Sequence, residues 1–157
     1  MAIATFVGGA YTGTLGGSAL GLTEQGFTLI FVPKAERIEE SDGYGLTLLD
    51  YFFRGVDVST VFDGLEYKSG TITSAWPWGS LGTMGVIARL ASSIAGSMVL
   101  TAVAGTPAAS SPASLTAGRT IIEPGHNVNI LFNSKLRKVP IRFVNLPSDS
   151  AIHFTTS

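Results

Sequence analysis

A mainly β fold, an antiparallel β-sandwich or half-barrel with one flanking α-helix, is what this 157-residue sequence predicts. Three observations carry the prediction. Short runs of β-branched and aromatic residues alternate with period two along most of the chain. Turn residues, drawn from 19 Gly and 7 Pro, separate those runs. Helical periodicity is confined to one stretch past the middle, so a layered antiparallel structure with a single helix is the natural architecture.

The elements follow in order. The Gly-, Thr- and Ser-rich opening predicts an extended arm over residues 1–21. Phe27-Thr28-Leu29-Ile30-Phe31-Val32 reads as a buried strand stopped by Pro33. Residues 34–55, with Glu36-Arg37-Ile38-Glu39-Glu40 and the turn-like Ser41-Asp42-Gly43, read as a long inter-strand loop. Loops of that length in compact domains serve binding or subunit contact. Alternation resumes at Val56-Asp57-Val58-Ser59 and runs to Tyr67, a half-buried strand with a bulge expected at Gly64. Thr71 to Ala75 continues extended to a corner at Trp76-Pro77-Trp78-Gly79.

The helix is expected over about residues 81–96, because Met84, Ile87, Ala88, Ala91, Ile94, Ala95 and Met98 form a stripe at spacings of three and four. Ser80 is its expected N-cap and Gly96 its end. Met98 to Val103 reads as a strand, and Gly105 to Ala117 as a Pro/Ala/Ser loop. Asn127 to Phe132 and Val139 to Val144 both alternate, and Asn133 to Lys138 joins them into an antiparallel pair. Ile152 to Thr155 supplies a last strand, and residues 1–157 form one domain.

Only 13% of the residues are charged, about half the ordinary share for a small soluble domain. The greasiest span, Leu81 to Ala104, is broken by Arg89, Ser92, Ser93, Gly96, Ser97 and Thr101, whereas a spanning helix needs about 20 predominantly apolar residues. Nor does Met1 to Phe6 carry the basic start and long apolar stretch of a signal peptide. Apolar surface with no bilayer to enter is best covered by copies of the same chain. The charge is also unevenly spread: residues 1–75 hold nine acids and four bases, and residues 76–157 six bases and two acids. Either the two halves fold against each other, or the acidic face of one copy meets the basic face of the next.

Catalytic and cofactor signatures are missing from the string. There is no cysteine, which removes a thiol nucleophile, a disulfide and a cysteine-based zinc site. His126 and His153 are isolated and read as satisfied or surface residues rather than metal ligands. No glycine-rich phosphate cradle or Gly-x-Ser-x-Gly elbow occurs. Glu39 and Glu40 are adjacent and in extended chain point to opposite faces, unlike a working acid and base pair. Lys135, Arg137 and Lys138 form the one basic cluster, a weak footprint for nucleic acid in a chain of net charge −1 and better suited to a solvated turn or a subunit salt-bridge patch. The expectation is a structural protein, not an enzyme, with no cofactor and no metal.

Leu22-Thr23-Glu24-Gln25-Gly26-Phe27, the segment Glu36 to Glu40, Gly45-Leu46-Thr47-Leu48-Leu49-Asp50, Gly55-Val56-Asp57-Val58 and Leu65-Glu66-Tyr67 together resemble the tail tube proteins of long-tailed bacteriophages. The resemblance extends to the helix between strands and to Leu136-Arg137-Lys138-Val139-Pro140-Ile141 with Leu146-Pro147, over most of residues 20–157. It implies subunits closing into rings, typically hexameric, that stack head to tail into a hollow cylinder with a continuous inner β-barrel. The loop over 34–55 would reach the neighbouring ring, with Glu36, Glu39, Glu40, Asp42, Leu46 and Asp50 as candidate contacts. Asp57, Asp63 and Glu66 would line an acidic lumen, past which DNA slides without specific binding. Lys135, Arg137 and Lys138 would meet the adjacent subunit. Implied partners are further copies and other tail components such as sheath, terminator or baseplate proteins, and the implied location is the virion tail after synthesis in the host cytoplasm. The competing expectations are a capsid decoration or tail-completion protein, and a carbohydrate or host-surface binding module using Trp76 and Trp78. Those tryptophans fit better as a corner packed against the helix start.

Overall fold

A computed structural model of the chain describes residues 10–40, 47–65, 88–103, 112–127 and 138–157. Within them lie β1 (Tyr11–Leu15), β2 (Ser18–Ala19), β3 (Thr28–Glu40), β4 (Thr47–Gly64), α1 (Ala91–Ile94), β5 (Gly96–Ala102), β6 (Ser114–Ile122), β7 (Val139–Leu146) and β8 (Thr155–Thr156). The protein is mainly β. Its strands form one antiparallel sheet in the order β2-β1-β5-β6-β7-β4-β3, with β8 paired to β6 off this path.

Period-two alternation places the core. On β7, Val139, Ile141, Phe143 and Asn145 are buried while the residues between them are not. Leu15, Leu20, Phe62, Met98, Leu100, Leu115, Ala117, Ile121 and Ile122 from the neighbouring elements join Val139, Ile141 and Phe143 in the cluster. Aromatic rings run across it, with Phe143 5.6 Å from Phe62 and Phe62 5.0 Å from Phe27.

The sheet curls until its two ends meet. Gly13 lies on β1, near one end of the strand order, and Phe27 precedes β3 at the other. A Cβ on Gly13 would sit 2.6 Å from Phe27 Cζ and 2.8 Å from Leu20 Cδ1. Glycine is what allows this closure. Gly13→Ala is expected to lower stability by about 1–2 kcal/mol through overpacking, read as a lower urea midpoint at unchanged slope. An unchanged midpoint would separate the two ends of the sheet.

Several sequence expectations are corrected. Pro33 does not stop its strand: β3 continues to Glu40, with Pro33 opposite Val56. β3 is the terminal strand of the order, and an edge strand tolerates a missing N–H because one of its sides carries no ladder bonds. The loop expected over 34–55 is consequently a β-hairpin, paired from Lys34 opposite Gly55 to Glu40 opposite Thr47. The extra residues lie on this hairpin, at Arg54 and Leu49, and not at Gly64, which ends β4 and bridges Thr23. Gly55, beside the first of them, has φ +140°, a conformation open to glycine.

The opening segment is part of the sheet over Tyr11–Leu15 and Ser18–Ala19, and Ser114 to Ala117 belong to β6. The closing strand is shifted to Thr155–Thr156. Of the helix expected over 81–96, residues 81–87 lie outside the described residues, and among those described it is a single turn, Ala91–Ile94. Ala88 has φ +56°, and Leu90 and Ala95 are extended on either side. Ser93 turns its hydroxyl back on the Leu90 carbonyl at 2.7 Å, a local bond that competes with helix propagation. Met98 leaves the expected stripe for the core face of β5. Ser80, Met84, Ile87, the Trp76 to Gly79 corner and the strand expected to Phe132 lie outside the described residues.

Candidate functional site

β3 and β4 outrun the rest of the sheet. β4 pairs with β7 only over Ser59–Gly64, whereas it pairs with β3 from Val61 out to Thr47. Among the described residues, the two strands beyond Val58 therefore form a two-stranded ribbon. From Val32, opposite Asp57, to Glu40, at about 3.3 Å per residue, the ribbon extends roughly 30 Å. Where it leaves the sheet, β4 and β7 diverge and leave a cleft of about 460 Å³ between Val56–Val58 and Val144–Pro147.

This arm holds most of the exposed apolar surface of the described residues. Phe31, Val32, Ile38, Leu48, Leu49, Tyr51, Phe52, Phe53 and Val56 are all exposed large hydrophobics, and Phe53 reaches 71%. Scattered exposed apolar residues need no explanation, but a contiguous group does.

The register fixes two faces. Phe31, Pro33, Ala35, Arg37 and Glu39 lie on one side of β3, opposite Val58, Val56, Phe53, Tyr51 and Leu48. Val58 and Leu29 tie this face to the buried side of the sheet. The other side carries Val32, Lys34, Glu36 and Ile38 opposite Asp57, Gly55, Phe52 and Asp50. There Lys34 pairs with Asp57 at 2.7 Å, Arg54 pairs with Glu36, and the Arg54 guanidinium lies 5.8 Å from the Phe52 ring centre. Such exposed pairs contribute little stability. They do neutralise four of the arm's charges internally.

Among the expected contact residues, Glu36, Glu39 and Asp50 lie on the arm, as does the backbone of Glu40. Glu39 pairs with Arg37, and Asp50 accepts the Tyr51 N–H at 2.7 Å. Asp42, Leu46, Glu66, Lys135 and Arg137 lie outside the described residues. Asp57 and Asp63 are six positions apart on β4 and so share the face opposite Val58 and Phe62. Lys138 is bound within the chain, 2.6 Å from Glu24, whose carboxylate holds the lysine pKa above its ordinary value. That pair joins the acidic and basic halves. The other ion pairs of the described residues stay within a half, as in Arg119–Asp149 and Arg142–Glu123.

A buried polar group was not anticipated from the sequence. Thr120 Oγ1 donates to Asn145 Oδ1 at 3.0 Å, and Asn145 Nδ2 donates to Thr60 Oγ1 at 2.8 Å. All three side chains are almost fully buried. The alternation of Val139, Ile141 and Phe143, carried one step further, points Asn145 inward, and that was the available signal. Both imidazoles meet backbone carbonyls, His126 at Pro140 and His153 at Asn145. No group of three or more His, Asp or Glu gathers among the described residues, and no helix there is long and apolar enough to cross a membrane.

No known family model matches the chain, and no curated protein matches it significantly.

Proposed function

We propose that the protein is a virion structural subunit that assembles into stacked rings forming a bacteriophage tail tube, a conduit for DNA during ejection. The observation that carries this reading is the arm, a two-stranded ribbon rich in exposed Phe, Tyr, Leu and Val. An isolated two-stranded ribbon is marginally stable in water, and neighbouring subunits would cover and order it. Arms set side by side in a ring would extend one sheet into the next and remove open edges. The face bearing Asp57 and Asp63 would line the lumen, where negative charge keeps DNA from adhering. The role is mechanical, with no chemistry at the site, and the partners are copies of the chain and other tail components.

Negative-stain microscopy of the purified chain tests the reading. Hollow tubes of uniform diameter are expected. A closed dimer or a monodisperse monomer at the highest soluble concentration would overturn it.

A further inference from the structure

Resting on the reading of the chain as a self-assembling subunit, we infer that a second copy covers one particular face of the arm, that formed by Phe31, Pro33, Ala35, Tyr51, Phe53 and Val56, while the opposite face stays wet.

The first argument is continuity with the core. Alternation along β3 is regular, because the register shifts place the extra residues on β4. The side of β3 that carries Leu29 against the core therefore also carries Phe31, Pro33 and Ala35. Opposite them, Val58 is buried but Val56 and Phe53 are exposed, as is Tyr51 opposite Arg37. The apolar face continues past the point where the chain's own covering layer ends. Interfaces of obligate assemblies resemble a domain core cut in two.

The second argument is area. Phe31, Tyr51 and Phe53 are 50%, 48% and 71% exposed. With about 150–250 Å² per aromatic side chain, they present on the order of 300 Å² of open ring surface. Val56, Leu48, Pro33 and Ala35 bring the patch to roughly 500 Å², near the upper end of what a monomer leaves bare. Covered by an equal area, it would bury about 1,000 Å² in total, the threshold for a specific interface.

The third argument is charge, and it selects a copy over a partner of opposite sign. On this face Arg37 is paired with Glu39 inside the arm. The other face carries the Lys34–Asp57 and Glu36–Arg54 pairs, whose desolvation would offset much of any gain from covering it. The arm as a whole holds five acids against three bases, but on the aromatic face the one acid and the one base neutralise each other, so that face has no net charge to attract an oppositely charged protein or to repel a copy.

The chain contains no cysteine, so single thiols can report on each face. Ala35→Cys and Glu36→Cys are adjacent on β3 and point to opposite sides. In assembled protein, maleimide is expected to label position 35 at least about tenfold more slowly than in dilute monomer, and position 36 at an unchanged rate. Tyr51→Ser/Phe53→Ser is expected to weaken self-association by about 100-fold, with native circular dichroism. Lys34→Ser/Asp57→Ser should assemble like the wild type. Equal protection at both positions, or protection at 36 alone, overturns the assignment of the face. Wild-type assembly by Tyr51→Ser/Phe53→Ser overturns it as well, and the thiol result decides if that variant fails to fold. Closed dimers protected at position 35 would refute the tube and leave this inference standing, whereas tubes labelled freely there would do the reverse.

Discussion

Phe143→Ala is expected to remove about 3–5 kcal/mol of folding stability. Phe143 has no exposed surface and stands on β7, between Thr60 of β4 and Ile122 of β6 in the register. Its ring continues through Phe62 to Phe27, linking the middle of the sheet to the terminal strand. Truncation would open a cavity that strands on both sides, fixed by their ladders, could not collapse to fill. Against a typical total of about 5–15 kcal/mol, such a loss is a large fraction. Because assembly stabilises the folded chain by mass action, urea unfolding belongs on the Tyr51→Ser/Phe53→Ser background. A loss below about 1 kcal/mol there would be incompatible with a fully packed Phe143.

Asn145→Ala is expected to be nearly as damaging, for a different reason. Its amide bridges Thr60 and Thr120 across three strands in a water-excluded layer. Removal leaves two hydroxyls to find new partners, at about 1–3 kcal/mol for each buried group left unpaired. The triple variant Thr60→Val/Asn145→Leu/Thr120→Val removes donors and acceptors together, so it should recover much of the loss. The comparison separates an unmet hydrogen bond from a volume effect. Should the triple variant be less stable than Asn145→Ala alone, the side-chain volume at this site would be the controlling quantity.

Much of the sheet was legible because alternation is a local signal. Val139, Ile141 and Phe143 are inward on β7 as the sequence indicates, and Val56 to Asp63 lie in a strand. Over the described residues 88–96 the helix is shorter than its stripe predicts, because apolar residues at spacings of three and four also arise where a short turn feeds a strand. Ala91, Ile94 and Ala95 pack on the core from one helical turn, and Met98 reaches it from β5. Reading 34–55 as a loop gave too much weight to Pro33 and to the charges of Glu36 to Glu40. Both are tolerated in an edge ribbon, where water satisfies the charged side chains and no third strand needs the missing N–H.

By itself the sequence determined that the fold would be antiparallel and mainly β, and that its charge would not suffice to coat its apolar surface. Both follow from composition and nearest-neighbour alternation. Where that surface lies depends on which strands pair. β4 alternates on either side of Val58, yet among the described residues it is flanked by two strands from Ser59 onward and by β3 alone before it. Pairing is a non-local choice, and a one-residue shift in register exchanges the two faces. The three-dimensional arrangement therefore separates the Phe31, Tyr51 and Phe53 face from the one carrying Lys34–Asp57 and Glu36–Arg54.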